Sequence, residues 1–409
     1  MNYTKKQLGQ YIDVLSGFAF KSKDFTNVGI PVIKIKNINP PYVSLEDISC
    51  VPISVAYQNP KYILKRGDVL IAMTGSHINQ IASVVGRVGR VRYDDLTVLN
   101  QRVGKIINKN DEYSNLDYIY YFLSQYDVKV ELAQKAGGAA NQANISPSDI
   151  KNLYFPCPPI EIQNKIATIL SRYDSLIENY QKQIKLLEES AQRLYKEWFI
   201  DLRFPGHENT KIVDGVPEGW VKKKIKDLVD LKSGYAFKSS AFVEKGKYKI
   251  VTIKNVKDGV FDGDNVSYLN SVPEKMPSHC ILQTGDILLS LTGNVGRICM
   301  VVGDNYLLNQ RVAKLESKFP AFTYCLFRHY DTFVAINNLA NGAAQQNVSP
   351  IRIGEMDMLV ANDKIMHHFE KAAENIRTNI LNLFSQIRHL TEARDRLLPK
   401  LMSGEKCFN

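Results

Sequence analysis

The chain repeats itself, and that repeat limits its architecture more than any other feature. Ser16-Gly17-Phe18-Ala19-Phe20-Lys21-Ser22 returns as Ser233-Gly234-Tyr235-Ala236-Phe237-Lys238-Ser239. Ile33-Lys34-Ile35-Lys36-Asn37-Ile38 returns as Val251-Thr252-Ile253-Lys254-Asn255-Val256, and Gly67-Asp68-Val69-Leu70 with Thr74-Gly75 as Gly285-Asp286-Ile287-Leu288 with Thr292-Gly293. Leu99-Asn100-Gln101-Arg102-Val103 returns unchanged as Leu308-Asn309-Gln310-Arg311-Val312. Gly138-Ala139-Ala140 with Asn144-Ile145-Ser146-Pro147 returns as Gly342-Ala343-Ala344 with Asn347-Val348-Ser349-Pro350. Five matches in one order define two copies of a module. The offset falls from 217 (233 − 16) to 203 (349 − 146), which places the length differences in loops.

Within each copy the pattern predicts mixed α and β structure. Residues 30–38 and 249–256 alternate apolar and polar side chains, as half-buried strands do. Residues 68–73 and 286–291 are short apolar runs closed by Thr-Gly turns, and residues 116–132 and 321–339 carry apolar positions three and four apart, as helices do.

Beyond Pro156-Cys157-Pro158-Pro159 the period changes. Ile166, Leu170, Tyr173, Ile177, Tyr180, Ile184, Leu187, Ala191, Leu194 and Trp198 step by alternating fours and threes. Shifted by 203, the same grid reads Phe369, Ala373, Ile376, Ile380, Leu383, Ile387, Leu390, Arg394, Leu397 and Leu401, with Arg394 its one break. A sustained 4-3 step is a coiled-coil seam, because a lone amphipathic helix drifts off it. Each helix is predicted to run about 40 residues, roughly 60 Å at 1.5 Å per residue. The obvious partner of each is the other. Antiparallel pairing would give the chain a pseudo-two-fold axis.

Composition narrows the partners. Of 409 residues, 44% are hydrophobic and 23% charged, ordinary for a globular protein, and Lys+Arg exceed Asp+Glu by 52 to 42. That excess favours a polyanion without requiring one. No run of about 18 apolar residues is present to span a membrane, and Met1 to Gln7 are not followed by the apolar core of a secretory leader. The six cysteines have no close pair, which suits reduced thiols and a cytoplasmic location.

Catalytic patterns are sparse. Asn39-Pro40-Pro41-Tyr42 matches the motif with which amino-methyltransferases hold a flipped adenine, which would make the chain an enzyme. No Gly-rich strand-to-helix loop for S-adenosylmethionine precedes it, and the second copy has Lys257-Asp258-Gly259 in its place, so a proline-rich turn is the better reading. The adjacent His367 and His368 would not face one another on a helix, which argues against a shared metal. The chain is expected to be non-catalytic, with no metal or cofactor of its own.

What the modules offer is nucleic-acid chemistry. Amides and guanidinium groups can pair with adenine and guanine edges, and lysines with phosphates. The repeated Asn-Gln-Arg carries all of these. For Asn100 and Asn309 a turn cap is the simpler reading, while for Gln101, Arg102, Gln310 and Arg311 scaffold and DNA contact both stand. Lys21, Lys238, Lys36 and Lys254 suit phosphates. Copies that read different sequences must differ where they touch bases, which points to His77, Asn79 and Gln80 against Asn294, and to Arg87, Arg90 and Arg92 against Arg297.

Along almost its whole length the chain resembles the specificity subunits of type I restriction-modification enzymes. The resemblance rests on the order of modules and helices and on local strings. These are residues 16–22 and 67–70, Leu194-Tyr195-Lys196-Glu197-Trp198-Phe199-Ile200-Asp201-Leu202-Arg203-Phe204-Pro205-Gly206, Pro217-Glu218-Gly219-Trp220, and the run from Arg396 to Glu405. The first module departs from the pattern by starting at Lys5 without the Pro-Glu-Gly-Trp string. The resemblance implies an α+β chain of two mixed α/β target-recognition domains separated by an antiparallel two-helix coiled coil. The expected division is residues 1–157 for the first domain, 158–203 for the first helix, 204–361 for a linker and the second domain, 362–405 for the second helix and 406–409 for a tail. Each domain would read half of a bipartite site in double-stranded DNA. The helix pair would set the gap, at most about 17 base pairs for roughly 60 Å of rod. It would also dock two methylation subunits, joined by two restriction subunits, with S-adenosylmethionine, Mg and ATP held by those partners.

Overall fold

The computed structural model describes residues 3–75, 85–137, 143–264, 266–340 and 347–405. It divides into two compact units, residues 1–175 with 391–409 and residues 176–390. Two long helices, Ile160–Tyr195 and Asp363–Met402, contribute residues to both. No described helix is long and apolar enough to cross a membrane.

The first unit is built on two sheets. One runs in the order Ile12–Ser16, Val103–Asn108, Val69–Ala72, Val88–Arg90, and ends in the hairpin Tyr42–Val43/Ile38–Asn39. Its central strand Val69–Ala72 is buried at every residue, as its unbroken apolar run requires. The other sheet orders Ser49–Val51, Ile30–Ile33, Thr97–Leu99 and Ile63–Leu64, with Ile30–Ile33 parallel to Thr97–Leu99. A short ladder, Lys5–Gln7 against Tyr154–Pro156, ties the start of the module to the residues before the first long helix.

The second unit repeats this plan apart from the hairpin. Val229–Ser233, Val312–Ser317, Ile287–Ser290 and Ile298–Met300 form one sheet, and Ser267–Leu269, Tyr248–Val251, Tyr306–Leu308 and Ile281–Leu282 the other. Tyr248–Val251 is again parallel to Tyr306–Leu308, and Val221–Lys224 again pairs with the segment before a long helix, Asp357–Val360. Where the first unit has the Ile38–Val43 hairpin, the second has an isolated bridge between Val256 and Phe261.

Two local expectations change. The strand predicted over residues 30–38 ends at Ile33 and becomes a 3-10 turn, Ile35–Asn37. The buried Asn37 side chain causes the turn: its Oδ1 accepts the Lys34 N–H at 3.0 Å and its Nδ2 donates to the Glu46 carbonyl at 2.9 Å. Asn255 does the same with Thr252 and Asp262. The helical pattern over 116–132 is two helices, Leu116–Leu123 and Tyr126–Lys135, and that over 321–339 is Pro320–Arg328 and Tyr330–Ala340. Gln125 and His329 both take extended backbone at the break.

Within each unit the long helices run antiparallel. In the first unit Asp174 bonds Arg394, while Ile166, earlier on its helix, shares a core with Leu401, later on the other. In the second, Trp198 packs edge-on against Phe369 at 5.6 Å, while Leu187 and Leu383 line one groove. Every position of the 4-3 grid is buried or half-buried. At the end of the first helix a five-residue π turn, Lys196–Ile200, breaks the step. Phe199, off the grid, is buried as a result, and Trp198, on it, is half-buried. Phe199 lies 4.9 Å from Phe369, 4.8 Å from Phe322 and 5.6 Å from Trp220, so residues 194–206 and 217–220 form an aromatic anchor.

Long-helix side chains also hold the short helices of the modules. Gln163, fully buried, accepts the Asn115 N–H at 3.1 Å where Leu116–Leu123 begins. Glu370 accepts the N–H groups of Ala321 and Phe322 at 2.9 and 3.0 Å where Pro320–Arg328 begins. Both supply acceptors to N–H groups that a helix terminus leaves unpaired.

Candidate nucleic-acid interface

In each unit the two parallel strands, Ile30–Ile33 with Thr97–Leu99 and Tyr248–Val251 with Tyr306–Leu308, end side by side, and the repeated strings gather at that end. Leu99 pairs with Ile33, after which the Asn100 N–H donates to the Ile33 carbonyl at 3.1 Å. Asn100 bridges Phe18, the Gln101 N–H donates to the Phe18 carbonyl at 2.9 Å, and the Val103 N–H closes the turn on the Asn100 carbonyl at 2.9 Å. The second unit repeats each contact. Asn309 donates to Val251 at 3.0 Å, Gln310 to Tyr235 at 3.0 Å, and Val312 to Asn309 at 3.0 Å. A Cβ on Gly17 would stand 2.3 Å from the Asn100 carbonyl oxygen, and one on Gly234 2.3 Å from that of Asn309. Only glycine permits this crossing.

Much of the repeat is thereby explained as scaffold. Leu99, Val103, Leu308 and Val312 are fully buried, Asn100 and Asn309 make the turn, and Asp68 and Asp286 pair with Lys105 at 2.7 Å and Lys314 at 3.0 Å. Gln101, Arg102, Gln310 and Arg311 are different. All four are exposed, as are Lys21, Lys36, Lys238 and Lys254. Among the described residues none of these eight side chains takes part in a hydrogen bond or ion pair. Lys34, beside Lys36, lies 4.0 Å over the Phe25 ring; its burial, aided by the Lys36 charge, lowers its pKa from the usual lysine value.

Residues 1–189 and 217–355 match the family model described as "Type I restriction modification DNA specificity domain". The chain belongs to this family. It is 27% identical over 320 residues to the type I restriction enzyme MjaIX specificity subunit of Methanocaldococcus jannaschii, covering 75% of this chain and 72% of that one. It is 22% identical over 424 residues to the EcoBI specificity subunit of Escherichia coli, covering 96% and 84%. The S subunit of the M. genitalium type I restriction-modification system shares the fold with a TM-score of 0.60, at 17% identity over 100% of this chain and 97% of that one.

Within a specificity chain of this kind the remaining sequence candidates fall into distinct settings. Arg90 is a correction: it is 4% exposed, its guanidinium lies 4.2 Å over the Tyr120 ring, and its Nη2 stands 2.7 Å from Asp117. Buried and paired, it fastens the sheet to the helix Leu116–Leu123 and is not available to DNA. Arg92 is half-buried, 3.9 Å from Asp174 and 6.0 Å from the Tyr42 ring centre, facing the long helices. Arg87 is half-buried at the rim of a cleft of about 600 Å³ shared with Pro40, Pro41, Tyr120, Lys129 and Arg394. Burial, with the charge of Arg87, lowers the Lys129 pKa. In the second unit Asn294 is exposed and Arg297 half-buried, both at the turn after Ile287–Ser290. His77, Asn79 and Gln80 lie outside the described residues, as do Gly138-Ala139-Ala140 and Gly342-Ala343-Ala344.

The Asn39-Pro40-Pro41-Tyr42 string is a hairpin, with Asn39 paired to Tyr42 and the prolines at the turn. The Pro41 carbonyl accepts the Arg90 N–H at 3.0 Å and the Tyr120 hydroxyl at 3.1 Å. Burial pushes the Tyr42 hydroxyl up to about 12.

A group of charges inside the first unit escaped the sequence reading. Asp174, 1% exposed, accepts Arg394 Nη1 at 2.8 Å and the Tyr121 hydroxyl at 2.6 Å. In the second unit Glu188 accepts the Tyr324 hydroxyl at 2.5 Å and pairs with Arg328 at 3.4 Å, and Arg328 also bonds Asp258. The available signal was Arg394, the single break in an otherwise apolar grid.

Proposed function

We propose that this specificity chain reads a bipartite, gapped site in double-stranded DNA, one half through each module. The observation that carries the proposal is the duplicated frame: two units with the same strand order and the same stapled turns, which differ in the polar segments around them. A shared frame with unlike surfaces suits two half-sites of unlike sequence. The long helices, common to both units, set the gap and dock two methylation subunits, with two restriction subunits completing the assembly in the cytoplasm. S-adenosylmethionine, Mg and ATP are bound by those partners, and adenine methylation and DNA cleavage are their chemistry. The domains are residues 1–157 and 204–361, the spacer helices 158–203 and 362–405.

The test is to map methylated adenines in DNA from cells that express this chain with a methylation subunit. A gapped two-part motif is expected. Replacing residues 221–360 with the matching segment of another family member should change one half of that motif and leave the other intact. A continuous palindrome, or a change in both halves, would overturn the proposal. A chain whose modules bind other proteins instead of DNA would give no sequence-dependent methylation at all.

A further inference from the structure

The Leu-Asn-Gln-Arg-Val turn is the longest string the two modules share without a change, and its scaffold accounts for only three of its five residues. Leu and Val are fully buried in both copies, and Asn forms the turn. The Gln and Arg side chains are exposed in both copies and, among the described residues, bonded to nothing. Neither position has the left-handed backbone that would restrict the residue there. Nothing among the described residues explains why both copies keep Gln followed by Arg.

Other stretches around the repeated strings have not been kept. Lys34 is replaced by Thr252, the Asn39 to Tyr42 hairpin by Lys257-Asp258-Gly259, and the ten residues from Ser76 to Val85 by Asn294 and Val295. If the modules read different half-sites, side chains that touch bases must differ between them. Side chains that stay the same must touch what both half-sites share.

Building on the proposed half-site reading, we infer that Gln101-Arg102 and Gln310-Arg311 clamp the DNA phosphate backbone, placing each module on the duplex without reading its sequence. The chemistry fits. Arg offers a fork of donors with no acceptor, and the Gln amide adds a neutral donor, a set that matches phosphate oxygens. Lys36 and Lys254 stand on turns that leave the neighbouring parallel strand, so each clamp has a second exposed cation beside it. The buried Asn37 and Asn255 staples hold those lysine turns rigid, so the donors are set before DNA arrives.

The test uses the full chain in complex with its methylation subunit, comparing wild type with Arg102→Ala, Arg311→Ala and the double variant. Affinity for a duplex carrying the methylated motif, and for an unrelated duplex, is measured against salt concentration. Each phosphate contact contributes about 0.9 to the slope of log K against log salt. The double variant should therefore lose about 1.8 from the slope on both duplexes, while the methylated motif stays the same. Arg102→Lys and Arg311→Lys, which keep the charge, should restore most of the slope and guard against misfolding as the cause. A motif that relaxes in one half would make the Arg a base reader and overturn the inference. So would an unchanged slope, or loss of the methylation subunit from the purified complex, which would assign the surface to a protein contact. Those three outcomes leave the half-site reading standing. Absence of any gapped motif with the wild-type complex would defeat both.

Discussion

Removing Asp174 should damage the first unit more than its single carboxylate suggests. The side chain is 1% exposed and accepts from two donors, Arg394 at 2.8 Å and the Tyr121 hydroxyl at 2.6 Å, with Arg92 3.9 Å away. Burial works against the Arg394 charge. The hydrogen bond to Asp174 and the charge of Asp395 outweigh it and hold the Arg394 pKa above its ordinary value. In Asp174→Ala the Tyr121 hydroxyl loses its acceptor and two half-buried arginines lose a shared counter-ion. Breaking a buried pair from one side costs about 3–5 kcal/mol. Arg394 keeps Asp395, which is half in solvent, so the cost should fall near about 3 kcal/mol. Replacing both partners by apolar residues, Asp174→Leu with Arg394→Met, removes the stranded charge and should recover all but about 1 kcal/mol. The assay must see the first unit. Both tryptophans, Trp198 and Trp220, lie in the second, so their fluorescence reports the wrong transition. Hydrogen exchange of Leu116–Leu123 and of residues 160–175 under increasing urea reports the right one. A loss below about 1 kcal/mol in Asp174→Ala, or a double variant as unstable as the single, would refute this account of the buried pair.

Two further outcomes follow from the scaffold. Gly17→Ala and Gly234→Ala each drive a Cβ to within 2.3 Å of a backbone carbonyl oxygen, so each should cost about 2 kcal/mol by overpacking, read as a lower unfolding midpoint and faster exchange at Gln101 or Gln310 respectively. Glu370 should give the second unit a pH dependence. Burial raises its pKa above the ordinary 4.5, more than the Ala321 and Phe322 N–H groups lower it. The unfolded chain then ionises first, so its contribution is fully present below pH 4.5 and is lost as pH rises through the raised folded value. Glu370→Gln, which cannot ionise, should flatten that fall in urea titrations followed by tryptophan fluorescence. A fall of the same size in the variant would refute the assignment.

The duplication and the two helical grids were readable because both are periodic, and a period survives without knowledge of any contact. The elements whose limits moved are those ended by a single side chain. The alternation over residues 30–38 continues through Lys34 and Ile35, and nothing in the pattern shows Asn37 folding back onto the Lys34 N–H. The split of residues 116–132 likewise depends on the extended backbone at Gln125. At Trp198 the grid gave way to a π turn, and one inserted residue per turn exchanged its place in the core with Phe199.

Which of the candidate arginines stand in solvent was not legible in the sequence, for one physical reason. Arginine serves equally as a DNA contact and as a buried cross-link, and sequence shows its charge without its surroundings. Arg90 and Arg102 look alike on paper: each lies near the end of a short strand in a polar stretch of a basic chain. Burial, a carboxylate and an aromatic face fasten Arg90 inside the first unit, while Arg102 stands in solvent with no partner among the described residues. The second copy separates the two cases independently of any coordinate. Arg90 is replaced by Met300 in the matching strand, a replacement that an internal tie permits when its whole pocket changes with it, whereas Arg102 has Arg311. A duplicated module therefore carries its own control. Residues kept in both copies and buried hold the frame, and residues changed in both exposure and type belong to one copy's packing or its own half-site. The few that are kept, exposed and unbonded among the described residues are the ones that the packing of the frame does not explain.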